Sequence, residues 1–142
     1  MELLTYSNKY DDILIDYINE KTLKRYDNQG WYRVLSWMGI YHSDFYVAEI
    51  EHNIVGFILI RKKMSSKWQR SLWIYDVMIL PEYRGRGYAN IMLKLALDKC
   101  KQRPVRLYVS KENEVAINLY KRNGFITECE TENDLIMRYD KV

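Results

Sequence analysis

The sequence predicts one α/β (α+β) domain organised around a parallel strand–helix–strand unit, and three observations predict it. Leu72 to Leu80 is nearly all apolar, the pattern of a central strand covered on both faces. Ala89, Met92, Leu93, Ala96, Leu97 and Cys100 then fall on one helical stripe, with Asn90, Lys94, Asp98 and Lys101 opposite. Pro104 stops that helix and opens a second strand, Val105 to Val109. Two such strands, joined by a crossover helix, lie parallel.

The other elements follow in chain order. Residues 2–6 read as a short first strand. Tyr10, Ile13, Leu14, Tyr17 and Ile18 keep helical spacing, which predicts a helix over 9–20 with one apolar face. Trp31, Val34, Leu35 and Met38 repeat the pattern in a second helix ending near Gly39, after a surface loop over residues 24–30. The period then changes. Phe45 to Ile50 and Ile54 to Arg61 are rich in aromatic and β-branched residues, and Glu51-His52-Asn53 between them marks a hairpin. Residues 62–71 are polar and form a connection. Beyond the parallel unit, Asn113 caps a helix that runs to Asn123, and Gly124 is placed to end it in a left-handed conformation. Phe125 to Glu130 and Leu135 to Tyr139 close the fold as antiparallel strands.

Length and composition narrow the function classes. The 142 residues suit a single domain, 1–142, with one buried core and no repeat or linker. The N-terminus lacks a basic region followed by an apolar stretch, so no signal peptide is expected. No apolar run approaches the roughly 20 residues of a membrane span, so no membrane association is expected either. Cys100 and Cys129 are far apart and form no Cys-x-x-Cys pair. That argues against a metal site or a disulfide framework and fits the reducing cytoplasm. Thirteen tyrosines and four tryptophans suit an aromatic core and rim, and are compatible with a homodimer surface. A nucleic-acid stacking surface would need a basic patch beside it.

The net charge of +3 is unevenly placed. From Arg84 to Arg122 there are ten Lys or Arg and three Asp or Glu, so the rest of the chain is net acidic. A solvated helix face accounts for part of this excess. A basic segment beside a glycine-rich loop also suits a phosphorylated small ligand, and the acidic remainder argues against nucleic acid.

That loop is Arg84-Gly85-Arg86-Gly87-Tyr88-Ala89, set between the apolar strand and the clearest helix. A helix start presents unpaired N–H groups and a partial positive charge. Glycines allow the backbone to approach a phosphate closely. A Walker A loop would end in Gly-Lys-Ser/Thr, which is missing. A dinucleotide fingerprint would have Gly or Ala where Asn90 stands.

Arg84-x-x-Gly87-x-Ala89 resembles the Arg/Gln-x-x-Gly-x-Gly/Ala signature of the GNAT N-acetyltransferases. Leu80-Pro81-Glu82-Tyr83 before it and Asn113-x-x-Ala116-x-x-x-Tyr120-x-x-x-Gly124-Phe125 after the next strand resemble the same family. The likeness covers residues 72–126, and the run from Tyr75 to Phe125 is most similar to diamine and polyamine acetyltransferases. The resemblance implies a mixed, mostly antiparallel sheet of six to seven strands with a central parallel βαβ pair, flanked by about four helices. It implies that the two parallel strands splay apart to admit the pantetheine arm of acetyl-CoA, the acetyl donor. Backbone groups of Val77, Met78 and Ile79 would pair with that arm. Amides of Arg84, Gly85, Arg86, Gly87, Tyr88, Ala89 and Asn90 would hold the pyrophosphate, and Asn113 and Ala116 would line the other side.

Acyl transfer to an amine needs a route for the amine proton, donors for the oxyanion, and a proton or donor for the departing thiolate. By resemblance, Tyr120 is the general acid and a further contact to the cofactor. A phenol with a reference pKa of about 10 holds its proton at neutral pH. Read without the resemblance, Tyr120 is a core tyrosine with a satisfied hydroxyl. Asp76 is the one acid inside the apolar strand, and a buried carboxylate needs a partner. It reads as a functional group, either a base or an anchor for a cationic amine, and equally as a structural acceptor for backbone or hydroxyl groups near the loop. Tyr75 stands where some polyamine enzymes of the family carry a second acid, a departure from that pattern. Glu49 is a weaker candidate base. His42 and His52 read as surface residues, and Cys100 as a packing residue. The function so implied is acetyl transfer to a small-molecule or peptide primary amine by direct attack in a ternary complex. The alternative is a non-catalytic CoA-binding sensor or interaction module.

Overall fold

A computed structural model describes residues 1–18, 43–63, 71–100 and 104–140. Seven strands form one sheet: β1 (Glu2–Thr5), β2 (Ser43–Ile50), β3 (Asn53–Lys63), β4 (Ser71–Ile79), β5 (Val105–Ser110), β6 (Phe125–Glu130) and β7 (Asp134–Tyr139). Their spatial order is β1-β2-β3-β4-β5-β7-β6, and every neighbouring pair is antiparallel except β4 and β5. Three α-helices accompany them among the described residues: α1 (Asp11–Leu14), α2 (Tyr88–Lys99) and α3 (Glu114–Arg122). The expected parallel unit is β4–α2–β5. The expected hairpin is β2–β3, whose two-residue turn holds Glu51 and His52 at φ of 49° and 68°. Turns of that length need left-handed backbone to match the twist of the strands.

Two apolar layers sandwich the sheet. On one face Ile58, Ile60, Leu72, Ile74, Leu107 and Val109 meet Met92, Leu93, Ala96, Leu97 and Cys100 of the α2 stripe. On the other, Phe45, Val47, Phe57 and Leu59 meet Tyr6, Tyr10 and Leu14. Alternation along each strand sends successive side chains to opposite layers, so β3 feeds both. Each fully buried Leu, Ile or Phe contributes roughly 1.5–3 kcal/mol of transfer free energy.

The structure departs from the sequence expectations at two places. The helix expected over 9–20 is a 3₁₀ turn, Asn8–Tyr10, followed by the single turn α1. Beyond it the Leu14 carbonyl accepts from both the Tyr17 and the Ile18 N–H, a mixed turn that does not continue the helix. Tyr10 and Leu14 are buried as expected, but Ile13 and Tyr17 are exposed. Second, β4 is not covered on both faces throughout. Leu72, Trp73 and Ile74 are buried, whereas Tyr75 and Asp76 reach solvent and Val77 and Met78 are half-buried. The two closing strands pair antiparallel as expected, and β7 inserts between β5 and β6, so the last strand lies inside the sheet and the one before it forms the edge. The second helix, its preceding loop, His42 and Lys101 lie outside the described residues. No helix among the described residues is long and apolar enough to cross a membrane.

Candidate active site

The site begins where β4 and β5 part. Their parallel pairing covers only Leu72–Ile74 with Val105–Leu107. Beyond Ile74, β4 runs on to Ile79 and stays paired to β3, but it has no ladder to β5. The parting starts at a bulge: Leu59 faces Asp76 and Ile60 faces Ile74, so Tyr75 is the extra residue. A bulge bends the strand and increases its twist, which turns β4 away from a neighbour it has just paired. The strand edge so exposed carries Tyr75, Asp76, Val77, Met78 and Ile79.

The loop after β4 is fixed from both ends. Pro81–Tyr83 makes a 3₁₀ turn, and the Arg84 side chain folds back so that its Nε donates to the Ile79 carbonyl at 2.9 Å. Arg86 lies over the Tyr83 ring at 5.8 Å. Both guanidinium groups therefore have intramolecular partners, and what the loop offers in front is backbone. Gly85 and Gly87 sit at φ of 80° and 77°, a region L residues rarely adopt. A Cβ at either would meet no atom within 4 Å, so both face open space. Gly87 is the N-cap of α2, and the amides of Tyr88, Ala89 and Asn90 are first-turn groups without intrahelical carbonyl partners. This is the geometry of an anion cradle.

Across the gap, α3 is capped by Asn113, whose Oδ1 accepts the Ala116 N–H at 3.2 Å. Asn113 is exposed and Ala116 half-buried. One turn on, Tyr120 is 9% exposed and joins the layer containing Ile74, Leu107 and Val109. Its ring lies 5.7 Å from that of Phe125. Burial pushes the Tyr120 phenol above its ordinary pKa, so it holds its proton. Tyr120 is thus a core tyrosine by packing, yet its hydroxyl has no hydrogen-bond partner among the described residues.

Asp76 departs from the buried carboxylate expected. Its side chain is exposed, on the same face as Leu59 and therefore opposite the layer that holds Tyr120. Its carboxyl nonetheless stands above the ordinary value. Desolvation by the surrounding protein raises it, and Arg61 beside it partly offsets the rise. Arg61 also lies over the Tyr75 ring at 4.7 Å. Nothing in the sequence singled out Arg61, because its approach depends on the pairing of β3 with β4. Glu49 lines a pocket with Tyr10, His52, Leu80, Glu82 and Tyr83, beside the loop that follows β4. Asn123, also unforeseen, donates its Nδ2 to Asn90 Oδ1 at 2.8 Å, a contact between residues 33 apart. Cys100 is buried in the core, as expected of a packing residue.

An exposed strand edge, a helix-start anion cradle and a protonated phenol behind them fit a long ligand that ends in a phosphate group. The residues present suit coenzyme A, since neither glycine position is filled and β4 has an unpaired side. The comparisons agree. The family model described as "Acetyltransferase (GNAT) family" matches residues 10–125. An uncharacterised N-acetyltransferase of Methanocaldococcus jannaschii is 31% identical over 107 residues, covering 70% of this chain and 47% of that protein. The spermidine N(1)-acetyltransferase of Escherichia coli strain K12 is 36% identical over 67 residues, covering 44% of this chain and 36% of that protein. The chain thus spans under half the length of these curated relatives. A crystal structure of PaiA N-acetyltransferase from Thermoplasma acidophilum in complex with coenzyme A superposes with a TM-score of 0.66 at 20% identity, covering 99% of this chain and 98% of that one. That likeness shows the fold. With the motifs, the parted strands and the family match in agreement, this chain belongs to the acetyltransferase (GNAT) family.

Proposed function

We propose that the protein transfers an acetyl group from acetyl-CoA to a primary amine by direct attack in a ternary complex. The parting of β4 from β5, with an anion cradle at one end and Tyr120 behind it, carries this reading. When bound, acetyl-CoA supplies an activated acetyl thioester. The backbone of Val77 and Met78 offers it a strand to pair with. At Ile79 one carbonyl lone pair is already taken by Arg84, which limits what that residue offers the arm. Amides from Gly85 to Asn90 hold the pyrophosphate, and Asn113 and Ala116 border the far side.

Tyr120 holds a proton at its Oη, for which burial raises the affinity, and this proton serves a departing sulfur. Asp76 stands on the opposite face of the sheet, where an amine can approach from solvent. Its carboxylate accepts the amine proton, directly or through water. Arg61 next to Asp76 reduces the local negative charge and so weakens Asp76 as an anchor for a cation. Arg61 lowers the proton affinity of the carboxyl as well, but desolvation outweighs it, and the net rise supports the proton-accepting role. The relative from Escherichia coli supports an amine acceptor, and the class proposed here is a small primary amine. Release of free thiol from acetyl-CoA, measured against a panel of polyamines, amino acids and N-terminal peptides, tests the reading. Acceptor-dependent thiol release supports it. Binding of acetyl-CoA with no release for any amine would favour a CoA-binding module without catalysis.

A further inference from the structure

The residue that follows α3 caps the helix end through the Leu119 carbonyl and also makes a bond that helix termination does not require. Asn123 is 9% exposed and has right-handed φ of −100°. Gly124, at φ of 93°, takes the left-handed position that ends the helix. Asn at position 123 is therefore not there to supply left-handed backbone. Its side chain instead makes two bonds through Nδ2, to Asn90 Oδ1 and to the Leu119 carbonyl, each at 2.8 Å. Its backbone N–H donates to the Tyr120 carbonyl at 3.0 Å. Its Oδ1 is buried without a partner, a cost accepted to place Nδ2 where it is. The helical stripe puts Asn90 on the polar face of α2, opposite the core, but the structure holds it half-buried against Asn123. Asn90 is also in the first turn of α2, on a residue whose amide belongs to the anion cradle.

We propose that Asn123 is a positioning residue: through Asn90 it registers the helix bearing Tyr120 on the helix start that receives the pyrophosphate. Occupancy of the cradle and the placement of the Tyr120 hydroxyl are thereby linked through one side-chain hydrogen bond. This rests on the reading of the loop as the CoA site and of Tyr120 as the acid. The link runs from the Asn90 amide to its side chain, to Asn123, and to the last turn of α3. Packing between the helices alone would hold them together without fixing their register to the width of a hydrogen bond.

The test uses the full chain with Cζ-¹³C tyrosine, the Tyr120 resonance being assigned from Tyr120→Phe. Coenzyme A is titrated into the wild type, Asn90→Ala, Asn123→Ala and the double variant. Its dissociation constant is read by calorimetry on the same samples. Asn90→Ala removes the acceptor from a half-buried site and leaves the core intact, so the test does not depend on the more buried Asn123. The proposal expects coenzyme A to shift the Tyr120 signal in the wild type. Each variant should lose at least half of that shift at saturating coenzyme A, and Asn123→Ala should change the dissociation constant less than threefold. The double variant should lose no more than Asn123→Ala, because the bond between the two side chains is already absent in each single variant. A full shift in Asn90→Ala would overturn the proposal, as would losses that add in the double variant. Failure of the wild type to bind coenzyme A would instead overturn the reading of the site on which it rests.

Discussion

Tyr120 and Asp76 lie on opposite faces of the sheet, on either side of the gap opened by the bulge at Tyr75. Tyr120 is buried with the α2 and α3 layer, and Asp76 is turned towards the face of Leu59 and reaches solvent. A donor lying in the gap would have a proton source behind it and an acceptor group in front. The two groups are thus kept apart by the sheet, and each can be tuned without disturbing the other.

The carboxyl of Asp76 titrates above its ordinary value of 3.8, chiefly through desolvation. Turnover should therefore rise with pH through a limb displaced upwards from that of a free aspartate. The stability effect has the opposite sign. A carboxyl whose pKa is raised by folding favours the folded state at low pH, and that advantage is lost as pH rises through the folded pKa. Asp76→Asn should consequently raise the melting temperature slightly at pH 7, with the gain vanishing below about pH 4. It should also lower turnover. Melting curves and pH–rate profiles of the variant check both.

Arg84 holds the loop by its bond to the Ile79 carbonyl rather than by presenting its charge to a ligand. Arg84→Ala should weaken binding of coenzyme A by roughly five- to tenfold, the loss of about 1 kcal/mol of loop order. The salt dependence of binding should fall less than it would on losing a direct phosphate contact. Calorimetric titrations at two ionic strengths distinguish the two cases.

Gly56 tolerates no side chain. A Cβ there would lie 2.3 Å from the Met78 carbonyl oxygen and 3.2 Å from the Ile79 Cα, both backbone atoms of β4. Gly56→Ala should push β3 from β4 and cost about 3 kcal/mol, lowering the melting temperature by on the order of 10 °C. Because Met78 and Ile79 border the gap, affinity for coenzyme A should fall as well. Thermal denaturation and a titration on the same sample measure both effects.

Local features of the sequence reached far into the fold. The apolar run of β4, the stripe of α2, the cap at Asn113 and the left-handed Gly124 each depend on residues close along the chain, and each stands where it was expected. The parting of β4 and β5 was implied by resemblance alone, since no residue pattern reports where a ladder stops. What periodicity could not reveal depends on register and long-range contact. The bulge at Tyr75 exists only relative to β3, and it is what brings Asp76 to the surface. The order β5-β7-β6 turns on a hairpin whose two strands read alike from sequence. The bond between Asn90 and Asn123 joins two polar residues that periodicity assigns to a solvated face and a helix end. The short α1 shows the same limit: the spacing of Tyr10 and Leu14 gave the buried face but not the number of turns.

The account turns on the Tyr120 hydroxyl, and Tyr120→Phe removes that group while keeping the ring that packs against Phe125. Steady-state turnover and the dissociation constant of coenzyme A should be measured on the variant with the best acceptor from the amine panel. The expected result is a fall in kcat of about a hundredfold or more, in the range of general acid catalysis, with the dissociation constant changed less than threefold. Unchanged kcat, in a variant that folds and binds coenzyme A as the wild type does, would contradict it.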